Sequence, residues 1–162
     1  MHELTANSED TSLQDRFDAN GICFGCGPAN SLGLQIKSYV RGDKVVASFL
    51  PSDHHQGFQG MINGGIIGAI FDCHMNWTAA WHLMKASGSA TPPCTVTGRF
   101  EVRFAAPTPT EQPLHFESEI VDLGERKAEV AAKLECSGQV TATGHGVFVA
   151  VQEGHPAFKQ WS

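Results

Sequence analysis

Charge is scarce in this sequence. Only 17% of its 162 residues are Asp, Glu, Lys or Arg, and the 11 basic residues are outnumbered by 17 acidic ones, for a formal net charge of -6. A chain with that balance lacks the electrostatic footprint of a protein that tracks nucleic acid or an anionic membrane. No nucleic-acid or membrane partner is therefore expected, and any anionic ligand must be held by a local site. No unbroken hydrophobic run is long enough for a membrane span: the best segment, around Gly64 to Met84, is interrupted by Asp72, His74 and Asn76. The first residues, MHELTANSED, are polar and acidic, so no secretory signal is expected. Cysteine is present in an odd number, five, which suits reduced thiols in a cytoplasmic protein better than a disulfide framework. Internal repeats and low-complexity tracts are absent. The length and the 41% apolar content fit one globular domain with a sizeable core.

Where charge is thinnest, one carboxylate stands out. Between Asp53 and Lys85 the only residue with a formal charge is Asp72, in the middle of an apolar segment of helical length. A carboxylate there must be paired, hydrogen-bonded or protonated, which makes it a candidate for chemistry. The plain alternative is a buried Asp satisfied by Asn76 or by a backbone group. The helix is expected from Gly64 to about Met84, with Asn63 as N-cap and the Gly64-Gly65 pair leaving the first N–H groups open to close approach. Its apolar residues, from Ile66 to Trp81, cover most of the circumference, as in a buried helix.

The rest of the chain reads as β structure. Residues 34–40 and 44–50 form a hairpin through Arg41-Gly42-Asp43, and Pro51 ends it before a loop from Ser52 to Asn63. Four strands follow the helix, over 94–104, 113–123, 127–136 and 139–151, the last three joined by short turns. In the first of them Phe100, Val102 and Phe104 alternate with Arg99, Glu101 and Arg103, and Thr97 shares the parity of the arginines. Residues 1–20 read as a flexible polar arm, with one helical turn over Leu13 to Phe17, and residues 153–162 as a surface tail. One buried helix with an antiparallel sheet is an α+β layer fold, in which the sheet must curl round the helix to cover all its apolar sides.

The Gly-rich stretch over 21–34 carries Cys23-x-x-Cys26. Half of a zinc site, completed by His54 and His55, and a redox pair are both readings of that motif. No second Cys-x-x-Cys follows, and Cys73, Cys94 and Cys136 are scattered along the chain. The expectation is a turn whose small side chains pack under the helix, with no metal and no cofactor.

This order of elements, with three sequence pieces, resembles the hotdog fold, and more narrowly the acyl-CoA thioesterases of the phenylacetate-pathway (PaaI-like) group. The first piece is Cys23-Phe24-Gly25-Cys26-Gly27-Pro28-Ala29-Asn30 followed by Gly33-Leu34. The second is His55-Gln56-Gly57-Phe58-Gln59-Gly60 leading to Asn63-Gly64-Gly65 and, seven residues beyond Gly65, Asp72. The third is Arg103-Phe104-Ala105-Ala106-Pro107 followed by three hairpin strands. Two positions depart from the family pattern: Asn63 stands where the family usually has His, and Gly57 where some members carry Asn.

The resemblance implies a hotdog thioesterase domain over 21–152 that hydrolyses an acyl-CoA, with coenzyme A present only as part of the substrate. It implies a homodimer, or a dimer of dimers, with the site at the dimer interface. Asp72 would act as general base or nucleophile, and the Gly64 and Gly65 N–H groups would polarise the carbonyl. Thr97 is matched to a hydroxyl residue that would orient water. Asn63 and Gly65 complete the catalytic set, with His55, Gln56, Gly57, Gly64 and Asn76 beside the substrate and Arg99, Arg103, Arg126 and Lys127 as candidates for its phosphates. A non-catalytic acyl-CoA binder on the same fold is the alternative. A hydratase or dehydratase is a third reading, which needs a His paired with the helix carboxylate; His55 is the candidate. His74, His82 and His145 belong to no motif and are expected to be structural or exposed.

Overall fold

The structure, a computed structural model, describes residues 8–158; residues 1–7 of the arm and 159–162 of the tail lie outside the described residues. The turn expected over Leu13 to Phe17 forms helix α1 (Leu13–Phe17), capped by the Ser12 hydroxyl, which accepts from the Asp15 N–H. Leu13 and Phe17 are buried in the core. Gln14 is buried too, and exchanges two hydrogen bonds with Ser38. Core packing thus begins before residue 20.

The first sheet strand is shorter than the alternation predicts: β1 is Tyr39–Arg41, not 34–40. Gln35 sits at φ 50, in the left-handed region, which breaks an extended chain. The N–H groups of Leu34 and Ile36 go to the carbonyls of Phe24 and Gly25 instead of to a ladder. This segment is stitched to the Gly-rich cysteine turn. After it, the expected hairpin runs through Gly42 (φ 63) into β2 (Lys44–Phe49).

The loop before the central helix holds a small hairpin that the sequence does not announce, β3 (Gln56–Phe58) and β4 (Met61–Ile62), turned at Gly60 (φ 75). Strands this short leave no periodic pattern. Ile62 N–H donates to the Thr108 carbonyl and Thr110 N–H to that of Gly60, which docks the hairpin.

Helix α2 (Gly64–Ser87) runs three residues beyond the expected end and stops at Gly88, whose φ of 69 closes a left-handed cap. Ile70, Phe71, Met75 and Ala79 are fully buried on it. Around it curls a six-stranded antiparallel sheet in the order β1-β2-β6-β7-β8-β5, with β5 (Thr95–Phe104), β6 (Leu114–Leu123), β7 (Lys127–Cys136) and β8 (Gln139–Ala150) all within a residue of their expected ends. This is the hotdog architecture, a long helix wrapped by a curled sheet. The inner face of β7 alternates strictly, with Ala128, Val130, Ala132, Leu134 and Cys136 buried. Where β8 crosses under the helix, Gly144 leaves no room: an added Cβ would lie 2.9 Å from the Phe71 ring. Helix and strand backbones therefore approach more closely than any side chain allows.

A buried polar network fixes the rotation of α2. The His74 ring is fully buried, with Nδ1 2.8 Å from the Ser38 hydroxyl and Nε2 3.1 Å from the Val45 carbonyl. A neutral ring satisfies both, with Nε2–H donating to Val45. Burial pushes its pKa down to about 4. Thr78, one turn on, donates to the His74 carbonyl and lies 2.5 Å from the Ser118 hydroxyl of β6. Among the described residues no helix is long and apolar enough to cross a membrane.

Candidate active site

Two helix side chains face β5 at its polar end. Asn76 is engaged there: its amide N–H donates to the Thr95 carbonyl at 3.2 Å, and its carbonyl oxygen accepts from the Thr95 hydroxyl. Asn76 pins the helix to the strand through both polar atoms of its side chain. One turn earlier, Asp72 is half-buried and accepts at Oδ1 from the Thr97 hydroxyl at 2.6 Å. Its other oxygen has no hydrogen-bond partner among the described residues. Desolvation holds the Asp72 pKa above the usual carboxylate range; the Thr97 hydrogen bond opposes this, and charge on Cys23 adds to it.

Thr97 reaches Asp72 because the strand parity is not the one alternation predicts. The ladder between β5 and β8 shifts at Gly98: Thr97 pairs with Phe148 while Arg99 pairs with the next residue, Val147. This β-bulge inserts one residue, so side chains on either side of it change phase. Thr95 and Thr97 point to the helix, and so do Val102 and Phe104 beyond the bulge, Val102 against the core and Phe104 against Gly64. Thr97 therefore shares the face of the Phe set, not that of Arg99 and Arg103 as its sequence parity implied.

The helix start is more occupied than expected. Asn63 caps it, as read: its Oδ1 accepts from the Gly65 N–H at 2.7 Å, and its carbonyl accepts from Ile66 and Ile67. The Gly65 donor is thus engaged within the cap. The Gly64 N–H has no partner among the described residues. Gly64 opens on an apolar cleft of about 550 Å³, walled by Phe58, Met61, Ile67, Phe104 and Pro107. The hairpin β3–β4 forms one side of it, and Phe58, at its tip, is 84% exposed.

The remaining loop residues hold the loop. His55 Nδ1 accepts from the Ser52 N–H, and its ring packs against Phe49 and His54. Burial, with the neighbouring His54, pushes its pKa down. Gln56 bridges the hairpin, accepting from the Gly60 N–H and donating to the Asp53 carbonyl. Gly57 packs tightly, since a Cβ there would stand 3.2 Å from the Asn63 Cα. Arg99, Arg103, Arg126 and Lys127 are all exposed, and Arg126 donates to the Ala150 carbonyl. Of the histidines without a motif, His82 bridges the Thr78 and Asp43 carbonyls and His145 lies 2.7 Å from Glu129.

The cysteines are the largest departure from the sequence reading. Cys73, one residue past Asp72, is not scattered: its sulfur joins those of Cys23 and Cys26, all within 4.8 Å of one another, with Cys23 and Cys73 3.6 Å apart. His54 and His55 are not in the group. The Cys23 thiol is held far below the usual thiol range by hydrogen bonds from Cys26 and Cys73, helped by the N–H groups of Cys26 and Gly25. Cys26 and Cys73 are pushed up, above all by sharing their protons with Cys23. Helical spacing alone put Cys73 beside Asp72; only the fold brings the turn over 23–26 to it.

Comparison with known proteins agrees with this architecture. No protein-family model matches the chain, and no curated protein matches it. Among solved structures it is similar to a thioesterase superfamily protein from Shewanella loihica PV-4, at 31% identity over 77% of this chain and 98% of that one, with a TM-score of 0.63. The PaaI protein of the E. coli phenylacetic acid degradation operon shares the fold at 11% identity, over 74% of this chain and 81% of that one, with a TM-score of 0.63. A phenylacetic acid degradation-related protein from Ralstonia eutropha JMP134 does so at 17% identity, over 78% and 92%, with a TM-score of 0.62. The chain belongs to the thioesterase superfamily, and its fold is that of the hotdog thioesterases.

Proposed function

We propose that the chain is an acyl-CoA thioesterase in which Asp72 drives the attack of water on the thioester carbonyl. The observation that carries this reading is the Asp72–Thr97 pair: a half-buried carboxylate with one oxygen fixed by a hydroxyl at 2.6 Å and the other open. Thr97 orients the carboxylate, and the open oxygen takes a proton from water as the water oxygen bonds to the carbonyl carbon. The tetrahedral oxyanion then collapses, the C–S bond breaks, and the proton returns to the departing CoA sulfur. Desolvation makes Asp72 a stronger base than an exposed carboxylate. Direct attack by Asp72 on the carbonyl is the variant of the same chemistry.

The oxyanion needs an N–H donor, and Gly64 supplies an open one at the mouth of an apolar cleft suited to an acyl chain. Gly64 and Asp72 are eight residues apart on one helix, about 12 Å along its axis. One thioester does not span that distance between both groups of a single chain. The site therefore pairs Asp72 of one subunit with the helix start of another, in a homodimer or a dimer of dimers. Edge strand β5 and its exposed Phe100 and Phe104 offer the contact surface.

A panel of acyl-CoA esters assayed by thiol release tests the reading. Turnover is expected for at least one ester, and Asp72→Asn should lower kcat by roughly 100-fold or more while circular dichroism stays unchanged. A panel with no turnover above the Asp72→Asn background would overturn it. The Asn63–Gly65 cap favours one second reading, a non-catalytic acyl-CoA binder, because it occupies one of the two expected oxyanion donors. Saturable binding of CoA esters without hydrolysis would point there. A hydratase mechanism has no such support, since no histidine hydrogen-bonds Asp72 among the described residues.

A further inference from the structure

Three sulfurs that converge from two distant parts of a chain need a reason to be together. Two come from the turn Cys23-Phe24-Gly25-Cys26-Gly27 and the third from the third turn of α2. The turn is built for the approach. A Cβ on Gly25 would stand 2.4 Å from the Cys73 sulfur, and one on Gly27 would stand 2.4 Å from the Cys23 nitrogen. The Gly27 N–H closes the turn on the Cys23 carbonyl at 2.8 Å. Backbone N–H groups of Gly25 and Cys26 lie near the Cys23 sulfur, and the Trp77 side chain near that of Cys26. Donors close to sulfur are what thiolates require once their protons are gone.

We propose that Cys23, Cys26 and Cys73 form a binding site for a thiophilic divalent metal ion, zinc(II) foremost, with the fourth position facing solvent. Tetrahedral zinc with Zn–S bonds of about 2.3 Å separates its sulfurs by about 3.8 Å. The Cys23–Cys73 separation of 3.6 Å is already near that value, and all three sulfurs lie within 4.8 Å of one another. Cys23 is exposed and Cys26 buried, so the site opens to solvent on one side only. No Lys or Arg forms an ion pair or hydrogen bond with the sulfurs among the described residues, so a cation bound there meets no competing positive charge on them. The metal would clip the turn over 21–27 to the helix at the residue next to Asp72. This assignment does not depend on which ester, if any, the protein hydrolyses.

The test uses the full chain, purified under reductant from zinc-supplemented medium and desalted. Elemental analysis should find about one zinc per chain. Cys73→Ser and Cys23→Ser should each lose it, and Cys94→Ser, outside the cluster, should keep it. Cobalt(II) added to the metal-free reduced protein should give sulfur-to-cobalt charge transfer with tetrahedral ligand-field bands, absent from Cys23→Ser. Cys23 is exposed, so that variant stays informative if Cys73→Ser fails to fold. Reduced wild type that retains no zinc and shows only the spectrum of hydrated cobalt would overturn the proposal. So would zinc retained undiminished by both cluster variants, or a cluster disulfide in protein prepared without oxidant.

Discussion

Thr97 has one hydroxyl, and at 2.6 Å from Asp72 it decides which carboxylate oxygen is left for water. Replacing it by Val keeps the shape and deletes the donor. For Thr97→Val, kcat of the thioester reaction is expected to fall roughly 10- to 100-fold with KM little changed, because the base loses its orientation. Thr97→Ser should restore most of the loss, a rescue that a merely structural threonine would not show. Asn76 offers the contrast. Each end of its amide holds Thr95, which fixes the helix against the strand beside Asp72 and leaves one N–H and one lone pair over. Residue type suggested a polar contact at Asn76, and only the partner strand reveals that Thr95 provides one at each end of the amide. Gln56 and Gly57, read in sequence as substrate contacts, have a structural part as well, in the β3–β4 hairpin and its packing on Asn63.

At the scale of elements, the close crossing of α2 over β8 is the feature most exposed to test. Gly144→Ala would place a methyl 2.9 Å from the Phe71 ring, in a part of the core where neither partner has space to yield. A loss of about 1–3 kcal/mol in urea unfolding is expected, against no loss at Gly68, a helical position where an added Cβ meets nothing within 4 Å. Long elements were the legible part of the fold. Helix α2 and strands β6 to β8 bury one continuous face or nearly all of it, so their periodicity survives in the sequence. The misread segments depend on contacts remote in sequence. Residues 34–38 look like a strand, but the Leu34 and Ile36 N–H groups are claimed by the cysteine turn and that of Ser38 by Gln14. The hairpin before α2 is held by residues 108–110, and no local pattern reports that.

For the whole molecule, the site reading makes a claim about assembly. The described chain leaves β5 as a ten-residue edge strand, with Phe100 and Phe104 exposed on the same side as the Gly64 cleft. Open edges of this length are normally paired or covered. Light scattering after size exclusion should give a dimer or a dimer of dimers, and Phe100→Asp combined with Phe104→Asp should shift it to monomer and abolish turnover together. A double variant that keeps the wild-type mass would argue against β5 as the contact. Asp72 and the glycines at the helix start were legible because the resemblance rests on their spacing. Thr97 was legible as a hydroxyl of the site, but neither as the partner of Asp72 nor in its direction, because a single inserted residue reverses the parity that alternation assumes.

That inserted residue has a consequence of its own. With Gly98 in place, one strand delivers two kinds of side chain to one side: hydroxyls to the middle of α2, aromatics to its beginning. Were Gly98 to take a regular place in the ladder instead of bulging out of it, the two-beat rhythm would run uninterrupted over 95–104, and the threonines and the phenylalanines would fall on opposite sides. The protein would then keep either the grip on Asp72 or the wall of the cleft, but not both. A glycine with no functional group of its own is in this sense the residue that lets chemistry and binding share a strand.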